Sequence, residues 1–176
     1  MKPERVPAKK RVKDILSKSP EETRKIGLAI GRSLPVPGVV LLRGALGTGK
    51  TTLTRGIAQG LGLEDAGMVN SPSFTLVNIY HGACPIYHVD LYRLEGERDL
   101  YSIGMDDFLG SDGVTVIEWS ERLSTAMDQA TEIEIEDAGD DLRVLHICIP
   151  VKRRNQNLHS ARKTHGGGSH SRRRLN

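Results

Sequence analysis

The chain has 176 residues, 38% hydrophobic and 27% charged, with a net charge of +3, a size suited to one domain with a buried core. No apolar run reaches the roughly eighteen residues of a membrane span, and the basic N-terminus lacks the apolar stretch of a secretory signal. Its two cysteines, Cys84 and Cys148, form no C-x-x-C pair and read as free thiols, so a disulfide framework is excluded and a cytoplasmic location is expected.

Residues 1–25 carry nine Lys/Arg against four Asp/Glu, and residues 152–176 carry eight against none. The stretch between them is therefore strongly acidic, and only the two ends have the charge that attracts nucleic acid. Residues 1–18 are lysine-rich with a short apolar pair, Ile15-Leu16, and are predicted to be a flexible basic segment. Ser19-Pro20-Glu21-Glu22 opens a helix, with Ser19 as N-cap, Pro20 at the first position and Glu22 at the third. Ile26, Ala29, Ile30 and Leu34 form its predicted buried stripe, which Pro35 ends.

After Pro37-Gly38, the run Val39-Val40-Leu41-Leu42 reads as a buried strand. It leads into Gly44-Ala45-Leu46-Gly47-Thr48-Gly49-Lys50-Thr51-Thr52, which matches the phosphate-loop pattern G-x-x-x-x-G-K-[ST]. Leu53, Ile57, Ala58 and Leu61 follow at near-helical spacing, up to Gly60 and Gly62. A glycine-rich turn alone would need neither the strand before it nor the helix after it; a phosphate site needs both. The glycines let backbone amides converge on phosphate oxygens, and the helix N-terminus adds partial positive charge. Lys50 would reach the β- and γ-phosphates, and the Thr51 hydroxyl would bind Mg²⁺.

Residues 62–67 form a polar connection, and 70–73 a turn into an alternating strand over 74–80. A tight turn at 81–83 returns the chain through a second strand over 85–91. Residues 97–109 read as a helix with Leu100, Ile103, Phe108 and Leu109 inward, weakened by Gly104. Residues 114–117 are another buried strand, ending at Glu118-Trp119, and 120–130 a short helix. Residues 132–136 alternate acid and isoleucine, turn at 138–141 and return over 142–149 as an antiparallel ribbon. Beyond Pro150 the composition predicts a disordered basic tail. The domain division is thus 1–18, 19–150 and 151–176.

Hydrolysis needs a carboxylate near the metal and a group to orient the attacking oxygen. Asp90 and Glu118 each close a strand, where catalytic groups of α/β proteins gather. Either could be the acid that partners the metal, and a solvated strand end is the bland alternative for each. The sequence leaves their roles open. Ser71-Pro72-Ser73-Phe74-Thr75 lies where nucleotide switches sense the γ-phosphate, although a Ser-Pro turn would look the same. The lone tryptophan, Trp119, is a candidate neighbour of the nucleotide, against the commoner role of a core residue. His81, Cys84 and His88 lack a fourth partner for zinc. Arg55, Arg93, Arg98 and Arg122 are candidate phosphate or partner contacts, with an ordinary surface role as the alternative.

The residues also resemble a known family, TsaE (formerly YjeE), the small ATPases of tRNA threonylcarbamoyladenosine biosynthesis. The resemblance rests on the residue 44–52 loop, on Asn70-Ser71-Pro72-Ser73-Phe74-Thr75-Leu76-Val77, on His88-Val89-Asp90-Leu91-Tyr92-Arg93-Leu94 and on Val116-Ile117-Glu118-Trp119-Ser120. It spans about residues 19–149. It implies an α/β, P-loop NTPase-like three-layer fold with a mostly parallel central sheet and an antiparallel hairpin extension. It also implies ATP with Mg²⁺ as cofactors, slow hydrolysis alone, and docking on the TsaB–TsaD pair that modifies adenosine 37 of tRNAs reading ANN codons.

Carried over by position, the resemblance makes Asp90, Lys50 and Glu118 the catalytic candidates and Thr51 and Glu118 the metal candidates. Nucleotide contacts are assigned to Ser19, Leu46, Gly47, Thr48, Gly49, Lys50, Thr51, Thr52, Ser71, Thr75 and Trp119. Ser120 stands where many relatives have Pro, and the basic tail lies outside the family pattern. Two other functions compete. A small-metabolite kinase would need an acceptor pocket and usually an arginine-bearing lid, but the segment after Trp119 is short. An RNA-binding adaptor would use the basic ends, which lack interleaved aromatics for base readout.

Overall fold

The computed structural model describes residues 10–94, 104–109 and 112–151. In chain order the elements are β1 (Lys10–Ser17), α1 (Pro20–Ser33), β2 (Gly38–Arg43), α2 (Lys50–Gly60), β3 (Val77–His81) and β4 (Pro85–Asp90). A single helical turn, α3 (Met105–Phe108), precedes β5 (Val114–Glu118), β6 (Thr131–Asp137) and β7 (Arg143–Pro150).

β2 is apolar along its length because it is central: it pairs parallel with β5 on one side and with β6 on the other. β5 pairs parallel with β4. Antiparallel strands finish both margins, giving the order β1-β7-β6-β2-β5-β4-β3. The mostly parallel core and the hairpin extension are as the family resemblance implies.

Alternation along the strands sorts their side chains between two faces. Val40, Leu42, Val114, Val116, Ile133 and Ile135 pack with Leu53 and Ile57 of α2 and Ile30 of α1. Leu41, Val89 and Ile117 face the other way. Among the described residues that second face is closed by connecting segments, through Leu91, Leu94, Leu123, Met127 and Ala130.

α1 starts as its sequence predicts, with Pro20 in the first turn and the Ser19 hydroxyl accepting from the Glu22 amide at 3.1 Å. Its buried face is wider than the predicted stripe: Ile30 is buried and Ile26 and Leu34 pack against the core, but Ala29 is exposed, and Thr23, Gly27 and Gly31 take further inner positions. A Cβ on Gly27 would lie 2.4 Å from the Leu53 carbonyl oxygen, and one on Gly31 2.2 Å from that of Ile57. Reciprocally, a Cβ on Gly56 would lie 2.1 Å from the Arg24 carbonyl oxygen and one on Gly60 2.4 Å from that of Leu28. The helices therefore meet backbone to backbone, closer than the usual spacing set by side chains.

Several predicted elements are revised. Lys10–Ser17 is an eight-residue strand, not a flexible segment. Its eight-pair ladder with β7 carries it, while only Ile15 and Ser17 turn apolar or buried surface inward. Lysines on such a strand protect an open sheet edge, and they hid it from a hydrophobic-pattern reading. The strand predicted from residue 74 begins at Val77, because residues 73–76 form a turn with Leu76 at φ 64°. The helix predicted over 120–130 is only a 3-10 turn, Ser120–Arg122. Leu123 and Met127 reach the core from irregular chain, and their four-residue spacing imitated a helix. Of the helix predicted over 97–109, α3 is the described part; residues 97–103, like 1–9 and the tail from 152, lie outside the described residues. Among the described residues no helix is long and apolar enough to cross a membrane. Both cysteines are free.

Candidate active site

The site is built where β2 gives way to α2. Gly44, Gly47 and Gly49 take φ values of 137°, 81° and 101°, and this left-handed region is open to glycine and strained for other residues. Gly44 is fixed twice over, since a Cβ there would come 2.4 Å from the Ile135 carbonyl oxygen. The first bond of α2 runs from the Leu53 amide to Gly49 O at 2.9 Å. Among the described residues, no protein group accepts from the amides of Gly47, Gly49, Lys50 or Thr51. A helix N-terminus wrapped by such a loop presents converging donors and partial positive charge, which suits an anion.

Lys50 bends back over this loop. Its Nζ donates to Gly44 O at 2.7 Å and Ala45 O at 2.8 Å, and it lies 4.0 Å from the Trp119 ring centroid. Burial lowers its pKa, while Glu118, Glu121 and Asp90 pull the other way. Trp119 reaches the lysine because it follows β5 in the left-handed region, at φ 59°. That conformation costs a non-glycine residue about 1–2 kcal/mol. Tyr92 backs the indole with ring centroids 4.9 Å apart.

Glu118 and Asp90 are cross-strand partners at the ends of β5 and β4. Both are almost fully buried, 3% and 2% exposed, on the face that packs against α2. Glu118 Oε2 accepts from the Thr51 hydroxyl at 3.2 Å, while Oε1 lies 2.8 Å from His88 Nε2 and 3.4 Å from the Thr54 hydroxyl. Among the described residues, His88 Nδ1 is buried without a partner. An N–H on Nε2 donates to Glu118, the arrangement that satisfies the carboxylate. Asp90 is held by other groups: Ser71 Oγ donates to its Oδ2 at 2.5 Å and the Tyr92 amide to its Oδ1 at 2.9 Å. The Asp90 amide donates to Leu76 O at 3.1 Å.

The structure thus brings Lys50, Thr51, Glu118, Asp90, Ser71 and Trp119 into one connected group. Leu46, Gly47, Thr48 and Gly49 form the loop and Thr52 sits in the first turn of α2. Thr75 is engaged elsewhere, donating to Asn78 Oδ1 at 2.9 Å on the surface. Ser19 is committed to capping α1, and its hydrogen bonds stay at the β1–α1 junction. Among the candidate arginines, Arg55 donates to Val69 O, Arg93 stacks 4.0 Å above the Phe74 ring and Arg122 donates to Leu94 O. Arg98 lies outside the described residues.

Sequence reasoning missed three residues that shape this group. His88 shares the alternating face of β4 with Asp90, two residues on, which could have placed it beside the acids. Thr54 is one helical turn after Thr51, so both can reach the same carboxylate. Arg143, whose Nε donates to Thr48 O at 3.2 Å from 95 residues away, left no local signal.

The Thr51 hydroxyl and the Glu118 carboxylate, oxygens 3.2 Å apart, are hard donors of the kind that hold Mg²⁺ together with phosphate oxygens. The residues present therefore fit that ion. The whole arrangement could grip a triphosphate through amides and one ammonium, and set two acids beside it.

Three comparisons with known proteins bear on this arrangement. The family described as Threonylcarbamoyl adenosine biosynthesis protein TsaE matches residues 17–145. A protein of Treponema pallidum named tRNA threonylcarbamoyladenosine biosynthesis protein TsaE is 40% identical over 116 residues, covering 66% of this chain and 84% of the relative. Its namesake from Bacillus subtilis is 41% identical over 128 residues, covering 71% and 78%. The crystal structure of Bacillus subtilis YdiB superposes with a TM-score of 0.67 at 31% identity, over 81% of this chain and 88% of that one.

Proposed function

The chain belongs to the TsaE family of tRNA threonylcarbamoyladenosine biosynthesis, and from that premise we propose that it serves the modification as a magnesium-dependent ATPase. The observation that supports this most is the Thr51 hydroxyl bonded to Glu118, beside the amides of Gly47, Gly49, Lys50 and Thr51, which have no protein acceptor among the described residues. The loop amides and the α2 N-terminus bind the phosphate chain, and Lys50 exchanges its loop carbonyls for phosphate oxygens. Thr51 and Glu118 would hold Mg²⁺, which would supply charge neutralisation to the phosphate chain. His88 and Thr54 keep the Glu118 carboxylate turned toward Thr51.

Asp90 orients the attacking water and takes up its proton. Its partner Ser71 lies in the residue 70–76 loop, which gives that loop a way to report on the γ-phosphate. Turnover alone is slow, and the chain acts on a TsaB–TsaD complex in the cytoplasm, where its hydrolysis resets the complex between rounds of tRNA modification. It does not itself transfer the threonylcarbamoyl group.

Reconstitution tests this. Threonylcarbamoylation of tRNA by TsaB and TsaD over many turnovers should require this chain and ATP, and Lys50→Ala should abolish the requirement's fulfilment along with nucleotide binding. Multiple turnover that proceeds equally without the chain, or ATP-dependent phosphorylation of a small metabolite by it, would overturn the reading.

A further inference from the structure

We propose that Arg143, on the hairpin extension, is a positioning residue that aims the phosphate loop through the Thr48 carbonyl. This rests on the reading of residues 44–52 as a triphosphate site and adds to it a part that lies outside the loop, its helix and the two acids.

Arg143 opens β7 directly opposite Asp137 of β6. One edge of its guanidinium is spent on the hairpin: Nη1 donates to Asp137 Oδ1 at 3.1 Å, Asp140 O at 3.0 Å and Leu142 O at 2.7 Å. The planar fork then has one orientation left, and in it Nε donates to Thr48 O at 3.2 Å. The side chain is only 18% exposed, and Thr48 is buried.

That carbonyl belongs to the peptide joining Thr48 to Gly49. The peptide is trans, since the described cis bond is Val36–Pro37, so its C=O and N–H point in opposite directions. Drawing Thr48 O toward the hairpin therefore turns the Gly49 amide the other way. This is one of the amides with no protein acceptor among the described residues.

Two further contacts make the coupling firm. Gly44, at the start of the loop, lies against the Ile135 carbonyl of β6 with no room for a Cβ. The Thr48 hydroxyl donates at 3.0 Å to Ala45 O, the carbonyl that also takes the Lys50 ammonium at 2.8 Å. Arg143, Thr48, Ala45 and Lys50 are thus linked in series. Glycine at 47 and 49 leaves the loop backbone free to choose other conformations, and an external brace removes that freedom before ligand arrives.

The test uses the full-length chain with Arg143→Ala and Arg143→Lys, measuring ADP and ATP binding by calorimetry with Mg²⁺ and with EDTA. Melting temperature and amide exchange over residues 44–49 are followed without nucleotide. Arg143→Ala should weaken binding roughly tenfold, equally in both conditions, because aim and not metal is lost. Exchange in the loop should rise, the melting temperature should stay within a few degrees of wild type, and Arg143→Lys should recover part of the affinity. Affinity within twofold of wild type, or a loss that merely follows a fall in melting temperature, overturns the proposal while leaving the triphosphate site intact. Failure of the wild-type chain to bind either nucleotide overturns both.

Discussion

Glu118 and Asp90 make an instructive pair. They sit at the same level of neighbouring parallel strands and are buried to the same degree, yet their partners come from different parts of the molecule. Glu118 is bonded by Thr51 and Thr54 of α2 and by His88 of β4, all on regular elements in the core. Asp90 takes the Tyr92 amide just beyond its own strand, and its other bonds, from the Ser71 hydroxyl and from its amide to the Leu76 carbonyl, go to residues 71 and 76. Ser71 and Leu76 belong to a loop that carries Leu76 at φ 64° and a Phe74 side chain that is 82% exposed. One acid is held by regular elements of the core and the other in part by an irregular, exposed loop. A carboxylate that must keep a metal in place benefits from the first arrangement; one whose action is to be gated benefits from the second.

Substitutions can break that contrast. The largest effect is expected from Asp90→Ala, which should lower ATP turnover by roughly a thousandfold, the scale of a lost general base. ATP affinity measured by calorimetry should stay within about threefold of wild type, the protein keeping its amides and Lys50. A comparable loss of affinity would make Asp90 part of the binding frame and erase the distinction. Next is Glu118→Gln, which keeps an acceptor for His88 but removes the charge. Affinity for ATP with Mg²⁺ should fall roughly fiftyfold, about 2.3 kcal/mol, with little change in EDTA; equal losses in the two conditions would remove Glu118 from the metal.

Gly56→Ala probes the scaffold behind Glu118. Its Cβ would enter the backbone of α1, so overpacking should destabilise the fold by about 2 kcal/mol, read as a lower denaturation midpoint. Because Thr51 and Thr54 ride on the displaced helix, Mg²⁺-assisted binding should suffer with it. Ser71→Ala should have the smallest effect. It removes one hydrogen bond to Asp90, so turnover should drop several-fold, about 1 kcal/mol, with the denaturation midpoint almost unchanged. A large stability loss there would mean that the residue 70–76 loop is as structural as α2.

The sequence made the Asp90–Glu118 pair visible because each acid closes an apolar strand, a pattern confined to five or six residues. The phosphate loop and both long helices were legible for the same local reason. What set the two acids apart was not, since it lies in partners brought from other elements. The sequence offers His88 as a weak zinc candidate and Ser71 as a hydroxyl of a γ-phosphate switch, and neither reading ties them to the acids. Arg143 meets Thr48 through the pairing of β7 with β6 and of β6 with β2, contacts distant in sequence. β1 escaped notice because an edge strand can be held by its ladder with little apolar alternation. On α1 the apolar stripe holds at Ile26, Ile30 and Leu34 but fails at Ala29, and the glycines that closeness to α2 selects carry no apolar signal.

That glycine seam has a mechanical consequence. With main chains in touch, α1 and α2 have no cushion of side chains to slide or rock upon, so they should travel as one block. Any nucleotide-linked motion is thereby channelled away from this pair, into the stretch that bears Ser71 and Phe74.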